Sequence, residues 1–190
     1  MPNINFRKKF WDQKILNWEK EKYFDKSFLL DVNTSVKSRM ILAKNILSKI
    51  SKNKTILEIG CGSALLLEDL KEMGIKKYIG IDISSKAIEK AKMKAKGIND
   101  IKFEFLNSDL SNIKGYNVDI CFSLGFLDWV TIDEINLMKK KINSKFFFHS
   151  FSEKRLVLSQ LLHRLFVYTK YGYRSHGYQP QYYRSDEIQK

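Results

Sequence analysis

The stretch Thr55–Ala64, Thr-Ile-Leu-Glu-Ile-Gly-Cys-Gly-Ser-Ala, places an acid, Glu58, two residues ahead of Gly60 and close to Gly62. A glycine-rich turn of this kind lets a ligand approach bare backbone at the carboxyl end of a strand. The dinucleotide fingerprint Gly-x-Gly-x-x-Gly would need glycine at position 65, where this chain has Leu65. A carboxylate at Glu58 would in addition repel a pyrophosphate and suit a cationic ligand. Taken alone, the turn also reads as an ordinary tight βα connection. Two more acids end apolar runs. Asp82 lies 22 positions after Gly60, at a spacing where an acid can accept hydrogen bonds from both hydroxyls of a ribose. Asp109 follows a third run and reads either as a turn residue or as a third acid of the same site.

These acids need elements that bring them together. Ile56, Leu57 and Ile59 form a buried strand, and Ala64, Leu65, Leu67, Leu70 and Met73 recur at helix spacing until Gly74. Lys77–Asp82 is a second strand, and Ser84 or Ser85 caps a lysine-rich helix that ends at Gly97. Ile101–Leu106 alternates as a third strand, and Val118–Val130 is a fourth that opens into a loop containing Ser123 and Gly125. Thr131 and Glu134 are spaced as a capping box, and Lys145–His149 is a fifth strand. Strand and helix alternate throughout, which requires a parallel sheet with helices on both faces. In such a sheet the strand ends bearing Glu58, Asp82 and Asp109 face one crevice.

Acid-x-Gly-x-Gly with acids after the second and third strands resembles the class I S-adenosylmethionine-dependent methyltransferases over about Lys54–Ser152. The family's first motif has a third glycine where this chain has Ala64. The resemblance implies S-adenosyl-L-methionine as cofactor. It implies a cofactor set of Glu58, Gly60, Cys61, Gly62, Ala64, Asp82, Ile83, Asp109, Leu110, Ser123 and Gly125. Within it Asp82 would hold the ribose, Ile83 would flank the adenine, Asp109 would take its amino group, and the Leu110 backbone would read the adjacent ring nitrogen. Amine-modifying members carry Asn/Asp-Pro-Pro-aromatic after the fourth strand. Ser123-Leu124-Gly125-Phe126 departs from it, which disfavours adenine-N6 and glutamine as acceptors. The reaction implied is in-line displacement at the sulfonium methyl, to a small-molecule acceptor and most readily to oxygen. Asp128 and His149 stand at the right edge of the sheet to take a proton from such an acceptor, although each also reads as a structural residue.

The flanks are read by their aromatic content. Phe6–Phe24 carries Phe6, Phe10, Trp11, Ile15, Trp18 and Tyr23 at helical spacing, and Val36–Ile50 has a clean apolar face preceded by caps at Asn33–Ser35. Residues 1–52 therefore form a helical cap, 53–152 the cofactor core, and 153–190 a helix and Tyr-rich tail, within one domain. The cap and the tail either pack on the core or close over the crevice. A further helix begins at Ser185, and no residues remain for the antiparallel strand pair with which the family usually completes its sheet. The expectation is a five-stranded core with an exposed fifth strand, poor solubility in isolation, and a chain abbreviated or truncated at its end.

Composition sets wider bounds. The chain has 190 residues, 44% hydrophobic, and a net charge of +13. Such a field attracts nucleic acid or an anionic membrane surface. The lysines are nevertheless scattered, and Lys86, Lys90 and Lys94 read as the solvated face of a helix, so an RNA methyltransferase is the second reading and a non-catalytic binding protein the third. No segment is long and apolar enough for a membrane span, and the start lacks a secretory pattern, which makes the cytoplasm the default. Cys61 and Cys121 lack metal-ligand spacing and read as buried thiols, with no metal site.

Overall fold

A computed structural model describes residues 2–21, 34–155, 157–169, 175 and 177–189. Tyr23, Phe24, Asn33 and several residues of the Tyr-rich tail, which the sequence reading included, lie outside the described residues. The central sheet has five parallel strands in the order β3-β2-β1-β4-β5: β1 (Thr55–Ile59), β2 (Lys77–Asp82), β3 (Lys102–Asn107), β4 (Tyr116–Leu124) and β5 (Ile142–Ser150). The order reverses at β1, between β2 and β4, which is where such sheets open a ligand crevice.

Alternation along the strands divides the core into two layers. Ile56, Tyr78, Ile120 and Phe122 pack under α2 (Thr34–Ile50), α3 (Leu67–Glu72) and α4 (Ser85–Ala95). Leu57, Ile59, Ile79 and Cys121 face α5 (Ile132–Lys141) and α7 (Ser185–Gln189). The caps sit where the sequence places them. Ser84 accepts from the Ala87 N–H, and Thr131 with Glu134 forms a capping box.

One boundary moves. The helical spacing from Ala64 onward predicts a helix directly after the turn, but α3 starts only at Leu67. Ala64 has φ +52°, in the left-handed region, so residues up to Leu66 remain turn. After β5 the described residues hold α6 (Leu158–Val167), α7 and a single parallel bridge between Glu153 and Tyr183, with no further strand. Among the described residues no helix is long and apolar enough to cross a membrane.

The aromatic N-terminal segment forms α1 (Ile4–Glu19), started by Asn3, whose side chain accepts from the Phe6 N–H. Both alternatives for it hold together, since it buries Phe10 and Ile15 while lying across the crevice. Polar side chains fasten it. Asp12 accepts from the Ser84 hydroxyl at 2.8 Å at the start of α4, and Arg7 pairs with Glu134 at 2.5 Å.

Candidate functional site

The glycine turn is stitched to the end of β2 by the backbone. Gly60 and Cys61 donate to the Ile81 carbonyl at 2.8 and 3.1 Å, and the Gly62 N–H donates to Asp82 Oδ2 at 2.8 Å. Asp82 Oδ1 accepts from the Ser84 N–H at 2.8 Å. A carboxylate has about four acceptor positions, so each oxygen of Asp82 keeps a lone pair for a ligand hydroxyl. Burial raises Asp82 to about 6, against the pull of those two N–H groups. The β2–β3 register puts Asn107 beside Asp82, and the Asn107 amide donates to the carbonyls of Asp82 and Ile83, which fixes the next strand end at the same crevice.

That crevice is lined by Ile59, Gly60 and Asp82 at the switch point, by Ile83, Ser108, Asp109 and Leu110 beyond β2 and β3, and by Gly125 and Phe126 after β4. A Cβ on Gly60, at φ +67°, would stand 2.7 Å from the Phe126 ring, so only bare backbone fits there. The residues present thus fit a nucleoside: an acid with spare lone pairs, apolar Ile83 and Leu110 beside it, and a glycine backbone at the turn.

Asp109 does line the crevice, but its carboxylate is turned back on its own loop. It accepts from the Ser111 N–H at 2.7 Å, from the Ser111 hydroxyl, and from the Asn112 amide at 2.8 Å. These bonds hold it below the usual carboxylate range despite some burial. The turn reading therefore accounts for the Asp109 side chain.

Glu58 is placed differently from a carboxylate simply facing a cationic ligand. Its side chain is buried on the Tyr78 face of the sheet, and the Tyr78 hydroxyl donates to it at 2.5 Å. Burial, with Asp82 and Glu19 nearby, raises Glu58 to about 8, so it holds a proton near neutrality. A small hollow lined by Glu58, Glu19, Gly60, Gly62 and Trp18 adjoins the crevice. Cys61 lines the same hollow, its thiol pushed up by burial, and Ala64 is buried at the base of the turn.

Besides Ala64, three residues of the sequence-derived set line neither the crevice nor the hollow. Ser123 is fully buried and its hydroxyl meets His149 Nδ1 at 2.8 Å. His149 is pushed down to about 4 by burial and by Lys139, and is neutral at physiological pH. Asp128 accepts from Arg39 at 3.2 Å, from the Ser152 N–H at 2.5 Å and from the Ser152 hydroxyl at 3.0 Å. These bonds tie the loop after β4 to the end of β5, and the proton-accepting role considered for Asp128 and His149 gains no support from their positions.

The roles of Glu19 and Lys94 escaped the sequence reading, whereas the aromatic cap and tail were read as able to close over the crevice. Glu19 accepts from both the N–H and the hydroxyl of Ser63, at 2.8 and 2.6 Å, and Lys94 donates to the Ser63 carbonyl at 2.7 Å. Lys94 is therefore part of the turn's support and not only a solvated lysine. Arg7, Trp11, Trp18, Trp129 and Tyr178 complete the lining. Trp11 and Trp129 lie 4.7 Å apart in an edge arrangement, Trp129 and Tyr178 5.2 Å apart, and the Trp11 indole N–H donates to the Tyr178 hydroxyl at 3.0 Å. The pairings of Trp11 span more than 100 residues of chain, that of Trp129 with Tyr178 spans 49, and none has a local signature.

A parallel sheet of this order, with a glycine turn after β1 and a ribose-compatible acid after β2, defines a Rossmann-like nucleotide-cofactor fold. Comparison narrows the class. A methyltransferase-domain family matches residues 56–144. A Methanocaldococcus jannaschii protein provisionally named a protein N5-glutamine methyltransferase is 32% identical over 145 residues, covering 75% of this chain and 68% of that one. A ribosomal protein L11 methyltransferase of Dictyoglomus turgidum is 40% identical over 68 residues, 36% of this chain and 22% of that one. In fold, the chain is similar to magnesium protoporphyrin IX methyltransferase from Synechocystis PCC 6803, solved with bound S-adenosylhomocysteine. The TM-score is 0.70 at 16% identity, covering 98% of this chain and 85% of that one. The chain belongs to the class I S-adenosylmethionine-dependent methyltransferase family and is an enzyme of that class.

Proposed function

We propose that the enzyme methylates an oxyanion, a carboxylate or phenolate oxygen, on a small molecule that enters between Trp11, Trp129 and Tyr178. The observation that carries this reading is Arg7. It lines the crevice, it is paired with Glu134 through one terminal nitrogen, and its Nε is buried with no hydrogen-bond partner among the described residues. A buried donor of this kind on a guanidinium suits a charged oxygen acceptor. An oxyanion also needs no base, which agrees with the engagement of the Asp128 carboxylate by Arg39 and Ser152. The relatives differ in the acceptors in their names, and the loop Ser123-Leu124-Gly125-Phe126 has neither the amide nor the prolines of the amine-modifying signature.

S-adenosylmethionine would supply the electrophilic methyl group. Asp82 would accept from the two ribose hydroxyls, Ile83 and Leu110 would flank the adenine, and Asp109 would stand at its rim. Gly60 and Gly62 would give the cofactor close access to backbone, and Glu58 would answer its positive charge by releasing a proton. The aromatic lining would exclude water and hold the acceptor, so that the residues mainly align the nucleophile.

Calorimetry with S-adenosylmethionine, followed by methyl transfer to a panel of phenols, carboxylic acids, amines and RNA, tests the reading. Asp82→Asn should weaken cofactor binding tenfold or more, because hydrogen bonds to a charged acceptor contribute roughly 1.5–3 kcal/mol each. Arg7→Gln should raise the KM for the acceptor at least tenfold and leave cofactor affinity within about threefold. Transfer only to amines or RNA, or an unchanged KM in Arg7→Gln, would refute the oxyanion assignment.

A further inference from the structure

An amphipathic surface helix normally turns its apolar stripe inward. Helix α6 does the reverse. Side chains through which it touches the rest of the described residues include Gln160, His163, Arg164 and Val167, spaced as one helical face. Gln160 donates to the Glu153 carbonyl at 2.7 Å, His163 meets the Tyr182 hydroxyl at 2.9 Å, Arg164 lies over the Tyr182 ring, and Val167 is buried. The opposite face carries Leu158, Leu161, Leu162 and Leu165, which are 73, 62, 59 and 62% exposed. Four leucines in one stripe facing outward exceed the scattered apolar exposure of an ordinary surface.

The charge around this helix selects what covers it. From Glu153 to Glu187 the chain has six Lys or Arg residues and three acids, with Arg155 and Arg184 paired to Glu153 and Asp186, so the segment keeps a positive excess within a protein of net charge +13. A second copy of the chain would bring two such cationic segments together and is opposed by that repulsion. An RNA would meet the cations but leave the leucines in water. An anionic bilayer satisfies both, because its headgroups attract the cations while the acyl boundary takes up the leucines.

We propose that α6 docks the enzyme on the surface of an anionic phospholipid bilayer, with the Leu158, Leu161, Leu162 and Leu165 stripe entering the headgroup boundary. The inner face of α6 rests on Tyr182, four residues along the chain from Tyr178 at the crevice. The attachment is peripheral and reversible, and its strength depends on both lipid charge and salt.

The test is co-sedimentation of the full chain with phosphatidylcholine vesicles and with vesicles containing about 30% phosphatidylglycerol, a composition that supplies a negative surface potential. The expected result is binding to the anionic vesicles at low salt, at least tenfold weaker binding to phosphatidylcholine, and a loss of tenfold or more in Leu161→Glu/Leu165→Glu. Cofactor affinity of that variant should be unchanged, which verifies that it is folded. Wild-type protein that stays in the supernatant would overturn the proposal. So would equal vesicle binding by wild type and variant, which would leave charge alone as the cause. Light scattering that finds a wild-type dimer abolished in the variant would assign the stripe to a second copy instead.

Discussion

The Tyr78 hydroxyl donates to Glu58 Oε2 at 2.5 Å, within a buried group that also holds Cys61 beside the glycine turn. This bond favours the ionised carboxylate, yet desolvation outweighs it and leaves Glu58 near 8.

From that balance follows a pH dependence of cofactor binding. A cation arriving beside Glu58 lowers its pKa, so binding releases a proton and is favoured as pH rises. Asp82, near 6, must also be ionised to accept two hydroxyls, which adds in the same direction. Affinity for S-adenosylmethionine should increase between pH 6 and about 8, and calorimetry in two buffers of different ionisation enthalpy should register proton release. Stability of the unliganded enzyme runs the other way. The pKa of Glu58 is raised on folding, so its contribution is fully present below about 4.5 and is lost as pH rises through about 8. Glu58→Gln should flatten the fall in melting temperature over that window. A fall as steep as in wild type would remove Glu58 from the explanation.

Ala64 is a second point where a local rule is broken. It occupies φ +52°, a conformation that costs a residue with a Cβ roughly 1–2 kcal/mol, whereas glycine there costs the unfolded chain's extra entropy of about 0.5–1 kcal/mol. Ala64→Gly should therefore stabilise the protein by about 0.5–1 kcal/mol, a rise of a few degrees in Tm. The variant restores the family's third glycine, so cofactor affinity should hold or improve. A lower Tm would mean that the buried Ala64 methyl contributes more through packing than its backbone loses through strain.

The strands and the three acids were legible because each rests on short-range pattern: apolar runs, capping pairs and a glycine turn, each set by residues within a few positions. The parallel order of the sheet then carried Asp82 and Asp109 to one crevice without any further information. What the sequence hid depends on contacts between distant segments. Glu19 reaches Ser63 across 44 positions, and Trp11 reaches Tyr178 across 167. No spacing announces such pairs. The same limit explains Asp128 and His149, whose place at a strand end was read correctly while their partners Arg39, Ser152 and Ser123 could not be.

Asp128 itself offers a test of that distinction. Arg39 and Ser152 hold its carboxylate, and its own carbonyl accepts from the Gln181 N–H at 2.5 Å, so it joins four segments of chain. Removing Arg39 leaves a buried acid without its cation, and Arg39→Ala should destabilise by about 1–3 kcal/mol, less than for a fully buried pair because Arg39 is partly exposed. Asp128→Asn should lose stability of similar size yet keep kcat within about tenfold, since a general base contributes typically 10²–10⁴-fold. A hundredfold or greater loss of kcat, with Tm preserved, would instead make Asp128 the proton acceptor.

Glu19 fastens the end of α1 to the glycine turn, and Asp12 fastens its middle to the start of α4. Both bonds of Glu19 run to Ser63, next to Gly62, so α1 can leave the crevice only if they break. Glu19→Ala strands the buried Ser63 N–H, costing about 1–3 kcal/mol, and takes one partner from the Ser63 hydroxyl, which keeps its bond from Lys94. Most of that cost can be avoided by undocking α1, which returns Ser63 to water. The expected outcome is thus local rather than global: faster proteolysis within α1, a small change in the melting of the sheet core, and cofactor affinity lowered about tenfold as Trp11 and Trp18 cease to cover the crevice. Limited proteolysis with and without S-adenosylmethionine separates the cases, because bound cofactor should slow cleavage of wild-type α1 more than of the variant's. If Glu19→Ala binds the cofactor more tightly than wild type, the Glu19 carboxylate competes for the site, and α1 acts as a plug instead of a cover.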